Sequence, residues 1–239
     1  MHKVLGRQAG KQGILGMAKQ SDPGVIVAVD RRVERTRHQL RAAVLALAEE
    51  KDFGAITVHD VTRQANINRA TFYQHYRDKD ELIEEAIEEL LHELFDACAP
   101  VQAGIERLEP DIVHPSAIVM FAQIAKRATL YRRLIGHGGS AYFIRRFQER
   151  NVELSLVALR HIHGASIDVR VPASARAHFA ASATTGMLSY WLDNGCAEPA
   201  ETIAAWHWHL MRSVWFDVSD AVGARPFFGN VVTTSLTGE

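Results

Sequence analysis

Residues 57–82 read TVHDVTRQANINRATFYQHYRDKDEL. Helices this short need a reason to exist, and the local chemistry supplies their ends. Thr57 with Asp60 three residues on makes a capping-box-like start: the hydroxyl takes an orphan backbone N–H, and the carboxylate sits at the positive end of the helix. Val58, Val61 and Thr62 form a small inward face, and Gln64-Ala65-Asn66-Ile67 closes the helix. After glycine, asparagine best tolerates the left-handed backbone that a helix-turn-helix bend demands, so Asn66 marks the turn. Asn68 caps a second helix over 69–74, in which Phe72 anchors in the core while Arg69, Thr71 and Tyr73 point outward. With His75, Tyr76 and Lys79 beside it, that outward face suits a phosphate-lined groove. Asp78 and Glu81 repeat the capping signal and launch a long helix over 79–97.

Upstream, a first helix is expected over 30–50, with Leu40, Val44, Leu47 and Ala48 as its buried stripe and Phe53 and Ile56 completing a small core. Arg31, Arg32, Arg35, Arg37 and Arg41 crowd its first turns, where cations oppose the helix dipole. Either they face DNA phosphates or they form a solvated basic face. The long helix carries Leu82, Ala86, Leu90 and Leu94 on one line and Ile83, Ile87, Leu91 and Phe95 on the next. Such a wide stripe packs on two domains at once. Glu84, Glu85, Glu88, Glu89 and Glu93 lie outside it and read as a solvated acidic face.

The run Ile56-Thr57-Val58, Ala65, Ile67, Thr71-Phe72-Tyr73, His75-Tyr76, Lys79 and Leu82 resembles the DNA-binding domain of the tetracycline-repressor (TetR/AcrR) family, and the match extends upstream to Arg35. The family often has glycine in the turn where this chain has Asn66. Beyond about residue 100 the resemblance is only general. It implies an all-α homodimer: an N-terminal three-helix helix-turn-helix domain binding operator DNA, then a C-terminal helical domain with a small-molecule pocket and the dimer interface. By position in the motif, Arg69 reads a base directly, with Ala70 and His59 as lesser readers. Thr57, Asn68, Thr71, Tyr73, His75 and Lys79 hold phosphates and fix register, and Tyr76 is counted with this DNA-binding set.

Composition agrees. At 239 residues with 47% apolar content, one small and one larger helical domain have enough material for a core. Residues 1–80 hold 14 Lys+Arg against 9 Asp+Glu, net +5, whereas residues 81–239 hold 13 against 19, net −6. The basic end is the one with the outward face, as attraction to phosphates requires. Cys98 and Cys196 are far apart and lack metal-ligand spacing, so they read as structural thiols, with a redox sensor as the minority alternative. No apolar run reaches the roughly eighteen residues of a membrane span, and a cytoplasmic protein without cofactor or metal is expected.

Residues 1–28, rich in glycine with scattered Lys3, Arg7, Lys11 and Lys19, show no sustained period and read as a disordered basic extension. Two alternatives stand beside that: an arm contacting DNA, or translation starting near Val29. Residues 29–78 form the helix-turn-helix domain, 79–222 the ligand-binding and dimerisation domain, and 223–239 a flexible tail. Pro100, Gly104, Pro110 and Pro115 mark the interdomain loop. Helices are expected over 116–128, 129–135, 140–163, 172–194 and 199–216, the last two forming the homodimer contact. Phe121, Tyr131, Tyr142, His178 and Trp191 are the candidate lining of an effector pocket, with plain core as the equal alternative.

Enzyme-like fragments carry little. His137-Gly138-Gly139-Ser140 has the look of an esterase oxyanion loop, but no G-x-S-x-G elbow accompanies it, so a helix-joining turn is the better reading. His161/His163 and His207/His209 are spaced i, i+2, which points the rings to different sides of a helix and argues against metal binding. The resulting expectation is a dimeric, ligand-responsive regulator with no catalytic residues, a repressor released from a palindromic operator by a small molecule. An activator, a protein-partnered regulator of the same fold, and a small helical enzyme or ligand carrier are the alternatives.

Overall fold

A computed structural model describes residues 23–102, 109–136, 139–163 and 171–216. Among these no strand occurs, and the elements are α1 (Pro23–Glu50), a 3-10 turn (Phe53–Ala55), α2 (Val58–Ala65), α3 (Arg69–His75), α4 (Lys79–Gln102), α5 (Pro115–Lys126), α6 (Ala128–Ile135), α7 (Ala141–His163), α8 (Ala173–Asp193) and α9 (Ala200–Trp215). The expected all-α architecture is present. Residues 1–22, the expected tail over 223–239 and the His137-Gly138 turn lie outside the described residues.

By contacts the chain divides into units 1–38 and 39–239. In the first, α1 begins at Pro23 rather than at residue 30, because proline at a first helical position loses only an N–H that would be unpaired anyway. Arg31, Arg32 and Arg35 are exposed, and Thr36 Oγ1 donates to the Arg32 carbonyl at 3.0 Å.

In the second unit, Leu40, Val44, Ile56, Val61, Phe72 and Leu82 bury the small three-helix core. The same cluster continues without a break along α4 through Ile87, Leu91 and Leu94 to Phe121, Leu130, Phe143 and Trp191 of the later helices. The polar side of α4 is paired, not simply solvated. Buried Arg41 on α1 donates to Glu85 and Glu89, and Arg146 on α7 donates to Glu88 at 2.6 Å while Tyr142 donates to the same carboxylate at 2.8 Å. Arg41 is therefore an internal clamp and not one of a row of phosphate-facing arginines. Arg127, which precedes α6, binds Glu49 at 2.9 Å, and Arg133 on α6 binds the carbonyls of Glu49 and Glu50 and the Asp52 carboxylate. These cations sit at the C-terminus of α1, where the dipole favours them.

The end of α4 also differs from expectation. Pro100 lies inside α4, which runs on to Gln102; it forfeits one helical hydrogen bond in the last turns, where fraying is cheapest. Buried Arg176 at the start of α8 donates through Nε and Nη2 to the Val214 carbonyl near the end of α9, joining two elements 38 residues apart in sequence.

Asn66 sits at φ 53°, ψ 45°, and the N–H of Ile67 returns to the Thr62 carbonyl at 2.9 Å. Left-handed backbone costs a residue with a Cβ roughly 1–2 kcal/mol. Asn66→Ala should therefore lower stability by about 1 kcal/mol in urea unfolding while Asn66→Gly holds or raises it; equal losses from both would show that the side chain and not the backbone matters.

Candidate functional site

The ends of the two short helices are held by their own side chains. Thr57 Oγ1 accepts from the Asp60 N–H at 3.2 Å, and Asp60 Oδ2 accepts from the Thr57 N–H at 3.0 Å and from its hydroxyl at 2.7 Å. Lys51, 2.7 Å away, and the two Thr57 donors hold the Asp60 carboxyl well below the usual range. Asn68 Oδ1 takes the Thr71 N–H at 2.7 Å and starts α3. At the start of α4, Asp78 Oδ1 accepts from the Glu81 N–H at 2.9 Å, while Glu81 reaches back to the Arg77 N–H at 2.8 Å.

These caps fix which face of α3 is outward. Phe72 is fully buried; Arg69, Ala70, Tyr73 and Gln74 are exposed; Thr71 and His75 are half-buried. Arg69 Nη2 donates to the Tyr73 hydroxyl at 3.2 Å, and its guanidinium carbon lies 5.6 Å from the Tyr73 ring centroid. The ring thus orients a cation that is free to swing. His59 and Asn68 are exposed beside this face. Gln74, one turn after Ala70, escaped the sequence reading because it lacks charge; its amide has the donor–acceptor pair that suits an adenine edge.

Three expected contacts are corrected. Tyr76 is 2% exposed and its ring packs 5.8 Å from Phe72, so it is core. Lys79 Nζ lies 3.0 Å from the carbonyls of Gly54 and Ile56 and 3.4 Å from that of Phe53, so its three donors brace the 3-10 turn instead of reaching outward. The Thr57 hydroxyl proton is committed to Asp60.

The C-terminal helices line a half-open cavity of about 130 Å³ between α4, α5, α7, α8 and α9, with Phe95, Met120, Leu154, His207, Trp208 and Trp215 among its walls. No Asp, Glu, Lys or Arg is among the described lining residues. None of the five candidates named from sequence lines it. Phe121 and Trp191 are core, meeting edge to face at 5.5 Å. Tyr131 is buried against Phe143, Tyr142 is tied to Glu88, and His178 is on the surface with Nδ1 2.7 Å from the Ser174 carbonyl. Large aromatics at helical spacing became core because apolar area, not polarity, decides the interior.

Within the cavity wall, the Thr184 hydroxyl donates to the Ala180 carbonyl at 2.9 Å, so its oxygen accepts from His207 Nε2–H at 3.0 Å. That sets the tautomer and leaves His207 Nδ1 as a bare acceptor. His207 Nδ1 and the Trp215 Nε1–H are both buried without a hydrogen-bond partner. Cys98 lies against the Ser116 carbonyl, and burial pushes its thiol up to about 11, which makes it a poor redox sensor. His207 is buried while His209 is exposed, as the i, i+2 spacing requires. Among the described residues, no group of three or more His, Cys, Asp or Glu is placed to hold a metal, and no helix is long and apolar enough to cross a membrane.

Residues 40–86 match the model of the bacterial regulatory proteins of the tetR family, and residues 111–211 match that of a transcriptional regulator C-terminal region. The chain belongs to the TetR family. A helix-turn-helix transcriptional regulator of Bacillus subtilis (strain 168), YxbF, is 31% identical over 181 residues, 74% of this chain. The chain spans 44% of the length of that relative. A TetR regulator from Streptococcus agalactiae 2603V has a similar fold (TM-score 0.60, 24% identity, 78% of this chain and 98% of that one). So has a TetR-family protein from Syntrophomonas wolfei (TM-score 0.59, 18% identity, 74% and 95%). The family models and the relatives describe transcriptional regulators, which weighs against the enzyme alternative.

Burial also pushes the His207 imidazole down to about 4 from an ordinary value of 6.5. Between those values the unfolded chain binds more protons, so this contribution is intact above pH 6.5 and is lost as the pH falls to 4. Its upper size is roughly 3 kcal/mol. The stability advantage of wild type over His207→Gln should shrink across that interval in pH-dependent chemical unfolding; an advantage that stays constant with pH would show that the imidazole is not held neutral by burial.

Proposed function

We propose that this TetR-family regulator is a homodimer that grips a palindromic operator and is released from it by a small effector. The observation that carries the reading is the α3 face, where Arg69, Ala70, Tyr73 and Gln74 are exposed together on a helix anchored by Phe72. In this reading α3 enters the major groove, Arg69 forks onto a guanine, and Gln74 reads a neighbouring base. Asn68, Thr71, Tyr73 and His75 supply phosphate contacts, and His59 and Ala70 are lesser readers. The net +5 of residues 1–80 favours the approach.

The dimer reading rests on an exposed apolar stripe. Tyr190 on α8, with Trp206 and Leu210 (64% exposed) on α9, flank Gly186 and Met187 along one shallow groove, and Phe179 (61%) is exposed earlier on α8. Large side chains in such a continuous strip mark a surface that another surface covers. Two copies related by a dyad would present their α3 helices to half-sites roughly 34–36 Å apart.

Effector response follows from α4, which carries Glu85 and Glu89 against Arg41 at one end and the cavity wall at Phe95 and Cys98 at the other. A ligand that prefers the α4 position with wrongly spaced recognition helices weakens operator binding by its differential affinity for the two states, and by no more.

Fluorescence anisotropy with DNA from upstream of the protein's own gene, at two salt concentrations, tests the core of this reading: tight, sequence-selective, salt-sensitive binding is expected, and indifference to every such fragment overturns it. Arg69→Ala should cost about 1–3 kcal/mol on the operator and relax preference at one base pair; an equal loss on scrambled DNA would reduce Arg69 to a backbone contact. Leu210→Glu should give monomers in sedimentation equilibrium with α-helical content unchanged, and a variant that stays dimeric moves the interface elsewhere.

A further inference from the structure

The half-open cavity among α4, α5, α7, α8 and α9 is small, and charge is missing from its described wall. Its volume, about 130 Å³, is slightly below that of a cavity of roughly 150 Å³ that admits benzene. Phe95, Met120, Leu154 and Trp208 offer apolar contact, and aromatic rings and a thioether favour a flat ring beyond the area they bury. No Asp, Glu, Lys or Arg is among the described lining residues. The two imidazoles of the wall do not supply the missing cation: burial pushes His114 down, and His207 down to about 4, so both are neutral at pH 7. Much of the polar part of the wall is already engaged with protein. Asn151 Nδ2 donates to the Phe147 carbonyl at 2.8 Å, Ser116 Oγ lies 2.7 Å from His114 Nδ1, and the Thr184 hydroxyl is held between the Ala180 carbonyl and His207.

Resting on the reading of the chain as an effector-responsive regulator, we infer that the effector is an uncharged, apolar compound of about one aromatic ring, held by contact with Phe95, Met120, Leu154 and Trp208 and not by an ion pair. Moving an ion out of water without a countercharge costs far more than contact with such a wall returns. Because the cavity is half-open, a charged group can instead stay in water at its mouth. No ionised side chain of the described lining meets it there, so it gains nothing over a neutral analogue and forfeits the burial of that part of the guest. Discrimination by charge is therefore strong, whereas one methyl group more or less is felt only modestly.

The test uses the full chain at neutral pH and three compounds that share one benzene ring and differ in charge: toluene, benzoate and benzylammonium. Binding is followed by calorimetry and by the fluorescence of the tryptophans, two of which, Trp208 and Trp215, stand in the wall. Toluene should bind, change the fluorescence and exceed both ions by at least tenfold. Ala117→Leu on α5 and Ala158→Leu on α7 add bulk to the wall and so place the site. Each should weaken toluene binding at least tenfold with α-helical content unchanged; if one variant fails to fold, the other and the wild-type ranking decide. Either ion binding as tightly as toluene, toluene failing to bind, or toluene binding undiminished in a folded variant overturns the inference. Operator affinity measured on the same samples, which toluene should lower, separates the two levels. Selective toluene binding that leaves the operator complex intact overturns the effector role, whereas a ligand-free protein that ignores the operator overturns the regulator reading and leaves the ranking of the three compounds to stand.

Discussion

The wide apolar stripe of α4 must be buried on two sides at once. Leu82 and Ala86 close the helix-turn-helix core, and Leu91, Leu94 and Phe95 close the C-terminal bundle, all within one continuous cluster. Interiors packed to crystal density transmit displacement instead of absorbing it. A shift of α4 against the bundle is therefore felt at the small domain that it also roofs. The polar edge of α4 reinforces this, since Arg41, Tyr142 and Arg146 converge on its carboxylates from α1 and α7. Arg41 is buried, so removing its carboxylates would leave an uncompensated charge, a costlier event than the net worth of the pairs suggests.

Charge in this chain is consequently divided between structural and outward duties. Lys79, Arg127 and Arg133 spend their donors on carbonyls and carboxylates at the end of α1 and the turn that follows it. Arg69 does otherwise: it stands exposed on α3, steadied by Tyr73. Preorganising a guanidinium without immobilising it reduces the rotamer entropy lost when it later binds an outside acceptor. The same economy appears in the bundle, where Thr184 fixes the His207 tautomer.

The amino-acid sequence by itself determined the helices, the caps and the turn. Thr57, Asn68 and Asp78 each satisfy backbone groups three residues away, and Asn66 adopts its left-handed geometry alone, so these choices are complete within a few residues of chain. The buried stripes of α1 and α4 were legible for a similar reason, because helical periodicity is local. Tertiary structure decided which chemically similar side chains face in and which face out. Tyr73 and Tyr76 differ by three residues, yet one is 47% exposed and the other is core, because Tyr76 lies in the extended residue that turns the chain back over Phe72. The cavity was likewise beyond reading: its walls run from Phe95 to Trp215 across five helices, and its two unpaired atoms are defined only by what surrounds them. Capping is a contact between neighbours in the chain, whereas burial sums contacts between segments far apart in it, and only the folded molecule performs that sum.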